Sequence, residues 1–375
     1  MKPKLPDIYA GINDTILKFS MLKMPSTMHL FEPQFKNILI LGHQNIGDIL
    51  HNMAILKPLH KALPQAKISI LTAPIGKALL EGNPYLHEIL IFDKKGEWKT
   101  WQGKLKTLHR LRQKKFDLAI NLKSGSYVCY FLGVKKVWGI RKVDKTLTVK
   151  RNSHAIDIYL NVLRNKGIPF LEEDIDLKVQ TTQKDDSDLF NILKHTGFQA
   201  NKPFIVFAPF SAWHAKEWAY TSYGKLSEIL VHKHGFQVVL VGGKEDQQKV
   251  HQFEPYTNTM INLVGKTSLK QLAALYKKAM LVIGGDSGPF HLATNMRRPV
   301  LGIFAPTSHL RARPYFEPQN TIYCQKELGC NPCIPGRHFM ACDVWNRTTP
   351  CMETISFDAV YEKTLAILDV LIKNE

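Results

Sequence analysis

The residues from Ile283 to Ala293 have the types and the spacing of an anion-binding turn. An apolar run that predicts a β-strand leads into a glycine-rich turn, and Pro289 suits the first turn of a following helix. The free N–H groups and the dipole at the start of such a helix attract an anion such as a diphosphate, and Gly288 permits close approach of the backbone. His291 is expected one turn into the helix, facing the same end. The alternative is a glycine turn capped by Asp286, with a histidine that is satisfied inside the protein.

A second candidate binding loop, from Ala208 to Trp218, follows another predicted strand. Lys216 lies among aromatic residues in this loop and is suited to hold the phosphates of a ligand, and Ser211 offers a hydroxyl donor. The competing interpretation is an ordinary surface lysine.

A third loop carries Asp48 at the start of a predicted helix. A hydroxyl group is a poor nucleophile, and a carboxylate in line with it can accept its proton as it attacks. Gly47 lets the backbone turn tightly and leaves room for an acceptor. Asp48 is therefore a candidate general base. The alternative is a carboxylate that only stabilises the N-terminus of the helix.

Alternating strands and helices position these three loops. Apolar runs at 37–41, 67–72, 89–92 and 118–122 predict one doubly wound parallel sheet, and runs at 204–207, 238–241, 280–283 and 300–304 predict a second. Ligands bind at the carboxyl ends of such strands, so we expect the loops to face one another across a cleft.

The chain is accordingly divided into four parts. The alternation weakens between Gly167 and Lys202, where acidic residues concentrate, and the last helix begins after Ser356, a predicted N-cap. The predicted parts are an N-terminal extension (1–35), a first Rossmann-like domain (36–180), a second one (200–350) and a C-terminal helical segment (351–375).

The formal net charge of +18 is concentrated in one segment. From Lys94 to Arg151 there are 17 lysines or arginines and three acidic residues. This asymmetry indicates an acidic partner, namely nucleic acid, an anionic membrane surface or a phosphorylated substrate, whereas the alternative is a solvated surface that favours solubility.

The rest of the composition argues against a disordered, a membrane-spanning or a secreted protein. With 45% hydrophobic and 22% charged residues, the chain is not expected to be disordered. No stretch reaches the ~18 consecutive apolar residues of a membrane span. Pro, Asp and Lys interrupt the first 35 residues, so they do not read as a secretory signal, and we expect a cytoplasmic protein.

Five of the six cysteines lie within 28 residues, from Cys324 to Cys351. In a cytoplasmic chain this indicates a metal site or a thiol-rich loop, not disulfides. A structural zinc or iron with four thiolate ligands is one interpretation. Against it, the later spacings lack the tight second pair of a zinc ribbon. The candidate ligands are Cys330, Cys333, Cys342 and Cys351.

In order and spacing, the sequence resembles glycosyltransferase family 9, the ADP-heptose lipopolysaccharide heptosyltransferases. The resemblance runs from Asn37 to about Pro314. The segments that carry it are Ile46 to His51, Lys216 to Trp218, Val239 to Gly243, Leu263 to Leu269, Asp286 to Ala293 and Ala305 to Thr307.

The resemblance implies a GT-B architecture of two facing Rossmann-like domains, with the last helix packing back toward the first domain. It implies one inverting displacement from ADP-heptose to the phosphorylated inner core of lipopolysaccharide or lipooligosaccharide, with no cofactor required for catalysis. Asp48 matches the catalytic carboxylate, and the acceptor site belongs to the first domain, where we assign Gly47 and Lys123. The donor-binding positions are Ser211, Lys216, Asp286, Ser287, Gly288 and His291, with Glu245 as a candidate for the ribose.

The family's acceptor is an anionic glycolipid at the cytoplasmic face of the inner membrane, so the resemblance implies peripheral membrane contact. The basic segment fits this partner, because an anionic leaflet attracts Lys and Arg.

Three departures from the family pattern leave the donor and acceptor open. Ala54 replaces a usual proline, Ala305 replaces a usual glycine, and the extension 1–35 is additional. One alternative keeps the fold with another nucleotide sugar, or with a protein acceptor as in the branch that modifies autotransporters. A basic nucleic-acid-binding module is disfavoured, because the sequence shows no recognised nucleic-acid motif.

Overall fold

A computed structural model describes residues 35–123, 128–140, 153–326, 328, 333 and 349–374. The predicted extension, except Phe35, and the cysteines Cys330 and Cys342 lie outside these residues.

Five parallel strands form the first sheet, and its order reverses beside the central strand. The order is β3-β2-β1-β4-β5, so the loop that follows β1 opens where the chain switches from one side of the sheet to the other. Open parallel sheets bind ligands at this switch point. The strands are β1 (Asn37–Leu41), β2 (Lys67–Thr72), β3 (Glu88–Ile91), β4 (Leu118–Asn121) and β5 (Lys136–Gly139).

Six parallel strands form the second sheet, in the order β11-β10-β9-β6-β7-β8. Its switch point lies between β6 and β9, and the loops with Lys216 and Asp286 follow these two strands. The strands are β6 (Phe204–Ala208), β7 (Gln237–Leu240), β8 (Ile261–Asn262), β9 (Leu281–Gly285), β10 (Val300–Phe304) and β11 (Thr321–Tyr323).

The helices alternate with these strands, which confirms the predicted α/β class with two doubly wound domains. In the first half of the chain they are α1 (Ile46–Asn52), α2 (Leu56–Ala62), α3 (Pro74–Leu80), α4 (Trp101–Gln113), α5 (Val128–Leu132), α6 (Ala155–Arg164) and α7 (Gln183–Leu193). In the second half they are α8 (Tyr220–His232), α9 (Leu269–Tyr276), α10 (Gly288–Asn295), α11 (His309–Ala312), α12 (Pro350–Glu353) and α13 (Phe357–Lys373).

The prediction missed three edge strands, β5, β8 and β11, which are short and only partly buried. Strands at a sheet edge lack the continuous apolar run that marks a strand buried on both faces. The helix predicted from Ile49 through Leu63 is divided into α1 and α2 by a 3₁₀ turn at Met53–Ile55. None of the helices in the described part of the chain is long and apolar enough to cross a membrane.

The last helix packs on the second domain, whereas the family resemblance implied packing toward the first. Its buried residues Val360, Ile367 and Leu368 join the cluster of β6, β7 and β9. Ser356 Oγ accepts the N–H of Ala359 at 3.2 Å, which confirms the predicted N-cap. The helix takes this place because its apolar stripe completes the core of the second sheet, and Phe357 at its start stacks with Trp218.

Alternate residues of β1 point into different apolar clusters. Leu39 and Leu41 face the side that α4 and α5 cover, and Ile38 and Ile40 face the side that continues into the second domain. Helix α10 packs on α1, and α9 packs on α7 and α3. The two domains therefore share one apolar cluster.

Polar contacts also join the domains. The side-chain amide of Asn295, which is 1% exposed, donates to the carbonyl of Leu50 at 3.1 Å and to that of Leu177 at 3.0 Å. His154 Nδ1 accepts the N–H of Ile156, so Nε2 carries the proton and donates to the carbonyl of Arg313 at 2.9 Å. These bonds fix the relative position of the helices that carry the candidate site.

We expect Asn295→Asp to destabilise the protein. The change keeps the shape of the side chain, removes both donated hydrogen bonds and places a carboxylate against two carbonyls, which costs about 3 kcal/mol at a buried position. The unfolding free energy from urea titration measures this. Asn201→Asp at an exposed position is the matched control, and equal small effects of both changes contradict the bridging role of Asn295.

We also expect stability to fall as the solution is acidified. Burial lowers the pKa of His154 from 6.5 to about 4. Between pH 6.5 and pH 4 the histidine ring is therefore protonated in the unfolded chain but not in the folded chain. The free energy of unfolding falls by about 3 kcal/mol across this range.

The substitution His154→Gln removes this titration while leaving a side-chain N–H donor. It should flatten the fall in unfolding free energy across that window, measured by urea titration at a series of pH values. His195→Gln, at an exposed position, is the control. A fall of undiminished size in His154→Gln argues against the buried neutral histidine as its source.

Candidate functional site

The carboxylate of Asp286 joins the two predicted binding loops of the second domain. Lys216 Nζ lies 2.6 Å from Oδ2, and His291 Nε2 lies 2.9 Å from Oδ1. The hydroxyl of Thr307 also donates to Oδ2, at 2.8 Å. Loops after β6, β9 and β10 thus converge on one partly buried carboxylate.

The surroundings keep Asp286 ionised. Burial by itself raises the pKa of a carboxyl, but the hydrogen bond from His291 and the positive charge of Lys216 outweigh it and hold the pKa of Asp286 well below its usual range. Because these protein groups occupy its oxygens, Asp286 orients Lys216 and His291.

Two buried polar atoms next to Asp286 are unpaired within the part of the chain that the structure describes. They are Ser287 Oγ and His291 Nδ1. The hydroxyl of Ser211 donates to the backbone carbonyl of Asp286, with the atoms 3.5 Å apart. A buried polar group without a partner is costly, so these atoms mark a place suited to a polar ligand.

Two glycines bring the first domain against this cluster. A Cβ atom built on Gly47 lies 2.8 Å from Cδ2 of His291, and one on Gly288 lies 3.0 Å from Cβ of Ile46. The N-termini of α1 and α10 therefore meet, and Asp48 in the first turn of α1 lies next to the residue that contacts His291. The structure thus brings together the predicted residues Gly47, Asp48, Lys216, Asp286 and His291.

Asp48 is half-buried and lies in a group of basic side chains. Its carboxylate is 3.4 Å from the side-chain amide of Asn45, and it interacts electrostatically with His43 and Lys123. Arg311, from the second domain, also acts on His43. The first domain therefore presents a carboxylate beside Lys123 and His43, and Arg311 of the second domain acts on the same histidine.

The ring of His43 is held in one tautomer. The backbone N–H of His43 donates to Asn52 Oδ1 at 2.9 Å, and Nδ1 lies 3.1 Å from the same oxygen. Because that oxygen only accepts, Nδ1 carries the proton and Nε2 is the basic nitrogen. Burial is the main reason that the pKa of His43 is lowered, and the charge of Asp48 partly opposes the shift.

Lys123 lies at the carboxyl end of β4, with its ammonium group 5.9 Å from the centre of the Phe92 ring. Burial and the nearby charge of Lys94 lower the pKa of Lys123 to about 8, and Asp48 partly opposes this. An anion bound next to a partly buried ammonium group stabilises its positive charge, which burial and a neighbouring lysine disfavour. Lys123 is therefore suited to bind an anion.

A second buried carboxylate, Glu217, shapes the loop around Lys216. It accepts the N–H of Ser211 at 2.8 Å, the hydroxyl of Tyr220 at 2.6 Å and the ammonium group of Lys249 at 2.7 Å. It also contacts His214. From the sequence, Glu217 was noted only within the segment that resembles the family, and Lys249 was not predicted. The two residues are 32 positions apart, so no local pattern indicates their ion pair.

Glu245, the candidate for a ribose, is exposed after β7, and its carboxylate folds over Gly243. None of its hydrogen bonds in the described residues connects it to the Asp286 cluster, so its role stays a prediction.

Three histidines line the contact between the domains. The ring of His51 lies 4.8 Å from that of His291 and 5.5 Å from that of His154. Burial first, and then the neighbouring histidines, lower the pKa of His51 well below its usual value. His51 is therefore held neutral and packs behind His291, a role that the sequence interpretation did not assign.

The cysteine site stays a prediction. Cys351 is buried and lies 3.3 Å from the hydroxyl of Thr349, and the backbone N–H of Cys333 donates to the carbonyl of Pro306 at 2.8 Å. Within the described residues no three His, Cys, Asp or Glu side chains are placed to hold a metal. The other two predicted ligands lie outside them.

Known proteins share this sequence pattern and this fold. The sequence model of the family "Glycosyltransferase family 9 (heptosyltransferase)" matches residues 104–340 of this chain. The lipopolysaccharide core heptosyltransferase OpsX of Haemophilus influenzae is 27% identical over 323 residues, covering 80% of this chain and 90% of that protein.

Two solved structures agree in fold. A family 9 glycosyltransferase from Veillonella parvula has a TM-score of 0.74 at 21% identity, covering 90% of this chain and 98% of its own. The ADP-heptose LPS heptosyltransferase II of E. coli has a TM-score of 0.67 at 22% identity, covering 90% and 99%. These likenesses confirm the predicted GT-B fold.

The family match spans more than half of the chain and includes both loops that meet at Asp286. The chain therefore belongs to glycosyltransferase family 9, the heptosyltransferases, and is an enzyme that transfers a sugar from a nucleotide-sugar donor.

Proposed function

We propose that this enzyme transfers a heptose from ADP-heptose to the phosphorylated inner core of lipopolysaccharide or lipooligosaccharide, with inversion and with Asp48 as the general base. The observation that carries the proposal is the close approach of Gly47 to His291, because Asp48 is the next residue after Gly47 and His291 is bonded to Asp286. The names of OpsX and of the E. coli enzyme support the sugar, the donor and the acceptor class.

Donor binding is assigned to the second domain. Lys216 has protons beyond the one shared with Asp286, and Ser287 and the start of α10 supply further donors, so together they suit a diphosphate. These donors are fixed before the reaction and stabilise the charge that develops on the departing diphosphate.

Proton removal is assigned to the first domain. Asp48 accepts the proton of the acceptor hydroxyl as its oxygen attacks the anomeric carbon, from the face opposite the leaving diphosphate. One displacement of this kind inverts the anomeric centre. Each step is assigned to a protein side chain, and none is assigned to a metal.

Acceptor binding is assigned to the cations around Asp48. Lys123 and Arg311 suit the phosphate groups of an inner core. The space next to the Cα of Gly47 is taken by the His291 ring, so Gly47 brings the two domains together and does not itself leave room for the acceptor. We place the enzyme at the cytoplasmic face of the inner membrane, where such an acceptor is anchored.

The donor assignment is tested by titrating ADP, UDP and GDP into the protein. We expect ADP to bind most tightly, and a preference for UDP would contradict a heptose donor while leaving the glycosyltransferase assignment in place.

We expect Asp48→Asn to lower turnover by about 10²- to 10⁴-fold, the contribution of a positioned general base. The affinity for ADP should stay within about threefold, because the donor contacts lie in the second domain. Steady-state kinetics and ADP titration by calorimetry measure the two effects.

The control is Asp358→Asn, which removes an exposed carboxylate from the first turn of another helix. If Asp48 only stabilises a helix N-terminus, both changes lower stability slightly and neither lowers turnover. That outcome removes Asp48 as the base.

We expect Asp286→Asn to weaken ADP binding by about tenfold or more. The amide leaves Lys216 without its charged partner and places an N–H group near one of the donors, so the phosphate-binding groups lose their orientation. Calorimetric titration of ADP measures the effect. Glu88→Gln, which breaks a 2.7 Å ion pair with Lys114 in the first domain, is the control. Equal ADP affinity in all three proteins would overturn the orienting role of Asp286.

A further inference from the structure

One face of the first domain exposes four large apolar side chains. Trp101 is 67% exposed and Leu105 is 56% exposed on α4, and Tyr130 is 80% exposed and Phe131 is 62% exposed on α5. Exposed apolar residues that occur singly need no explanation, but a group of them marks an interaction surface.

Helix α4 turns this group outward. Gly103, Thr107 and Leu111, spaced four residues apart, are the buried residues of this helix. At about 100° per residue, Trp101 and Leu105 fall on the opposite side of the helix. Lys104 and Lys106 are exposed on either side of that apolar strip.

The connections place both helices near the acceptor edge. Helix α4 follows β3 and α5 follows β4, so the first turn of α4 and the start of α5 lie at the carboxyl end of the parallel sheet. Both helices pack on one cluster, through Leu111, Cys129 and Leu132. Lys123, at the end of β4, lies at the same edge.

The side chains of this face are of the types that bind the interface of an anionic membrane. Trp and Tyr combine an apolar ring with a polar atom and are enriched where a membrane meets water. An anionic leaflet attracts each nearby lysine strongly enough to raise binding about fivefold. The face belongs to the segment from Lys94 to Arg151, which holds 17 lysines or arginines and three acidic residues.

We propose that this surface, the α4–α5 face formed by Trp101, Leu105, Tyr130, Phe131, Lys104 and Lys106, docks on an anionic lipid bilayer. The aromatic and apolar side chains enter the interface, and the lysines pair with lipid phosphates. Docking presents the carboxyl edge of the first sheet, with Lys123 and Asp48, to an acceptor held in the same leaflet. The inference rests on the proposed function for its acceptor, but its test does not use catalysis.

The test is co-sedimentation of the full chain with vesicles of phosphatidylcholine, with and without phosphatidylglycerol. We expect the wild type to bind the phosphatidylglycerol vesicles and salt to weaken the binding. The fourfold variant W101S/L105S/Y130S/F131S should lose about tenfold or more in partition coefficient. The variant K104Q/K106Q should lose about 25-fold, and only on the anionic vesicles.

Matched controls are Phe190→Ser and Val370→Ser, which remove exposed apolar side chains from other elements. These should bind vesicles as the wild type does. Binding of ADP and transfer to a deacylated, soluble acceptor should be unchanged in the face variants, which separates a failure of docking from a failure of the proposed function.

Three results would overturn the proposal. The first is vesicle binding by the face variants that equals that of the wild type, and the second is wild-type binding that does not depend on phosphatidylglycerol. The third is a change of molar mass of the face variants in analytical ultracentrifugation with lipid binding unaltered, which identifies the face as a contact between two copies of the chain.

Discussion

The site is organised around one partly buried carboxylate that holds its partners in place. Asp286 contacts Lys216 from the loop after β6, His291 from helix α10 and Thr307 from the loop after β10. A buried charge is stable only when it is paired and hydrogen-bonded, so the folded chain has to bring all three partners to it. The same requirement fixes the ammonium group and the imidazole at which the donor is proposed to bind. The contacts of Asp286 therefore serve both to compensate its own charge in the fold and to hold the binding groups in position before a ligand arrives.

The contact between the domains fixes the first domain relative to the Asp286 cluster. His291 is fixed by Asp286 on one side and packs against Gly47 on the other, where a side chain would collide with the ring. Asn295, one turn further along the same helix, is bonded to carbonyls of Leu50 and Leu177. The position of Asp48 relative to Lys216 is thus set by packing between two helix N-termini. A cleft enzyme needs this precision, because misplacement of reacting groups by about 1 Å costs about 100-fold in rate.

The sequence predicted those parts of the molecule that are local. The central strands are continuous apolar runs, and β2 and β10 have the bounds that the runs indicate. The loops with Asp48, Lys216 and Asp286 were found because each follows such a run. Pairings across the fold leave no local trace. Lys216 lies 70 positions from Asp286, and nothing near either residue indicates that they meet. Arg311 and Lys249 were missed for this reason. The family resemblance implied packing of the last helix toward the first domain, whereas its apolar residues pack on the second.

The two sides of the site handle charge in different ways. In the second domain Lys216 is paired with Asp286, and Lys249 is paired with Glu217, so the cations are fixed before any ligand arrives. In the first domain the pKa of Lys123 is lowered to about 8 by burial and by another lysine, so its charge is incompletely balanced. A preorganised set of donors favours a transition state in which charge develops at a fixed place, as on a departing diphosphate. An unbalanced basic surface favours capture of a large anionic partner, because its attraction acts over about a Debye length and does not demand one geometry. This contrast suits the proposed arrangement, with a small diphosphate donor on one side and a phosphorylated acceptor on the other.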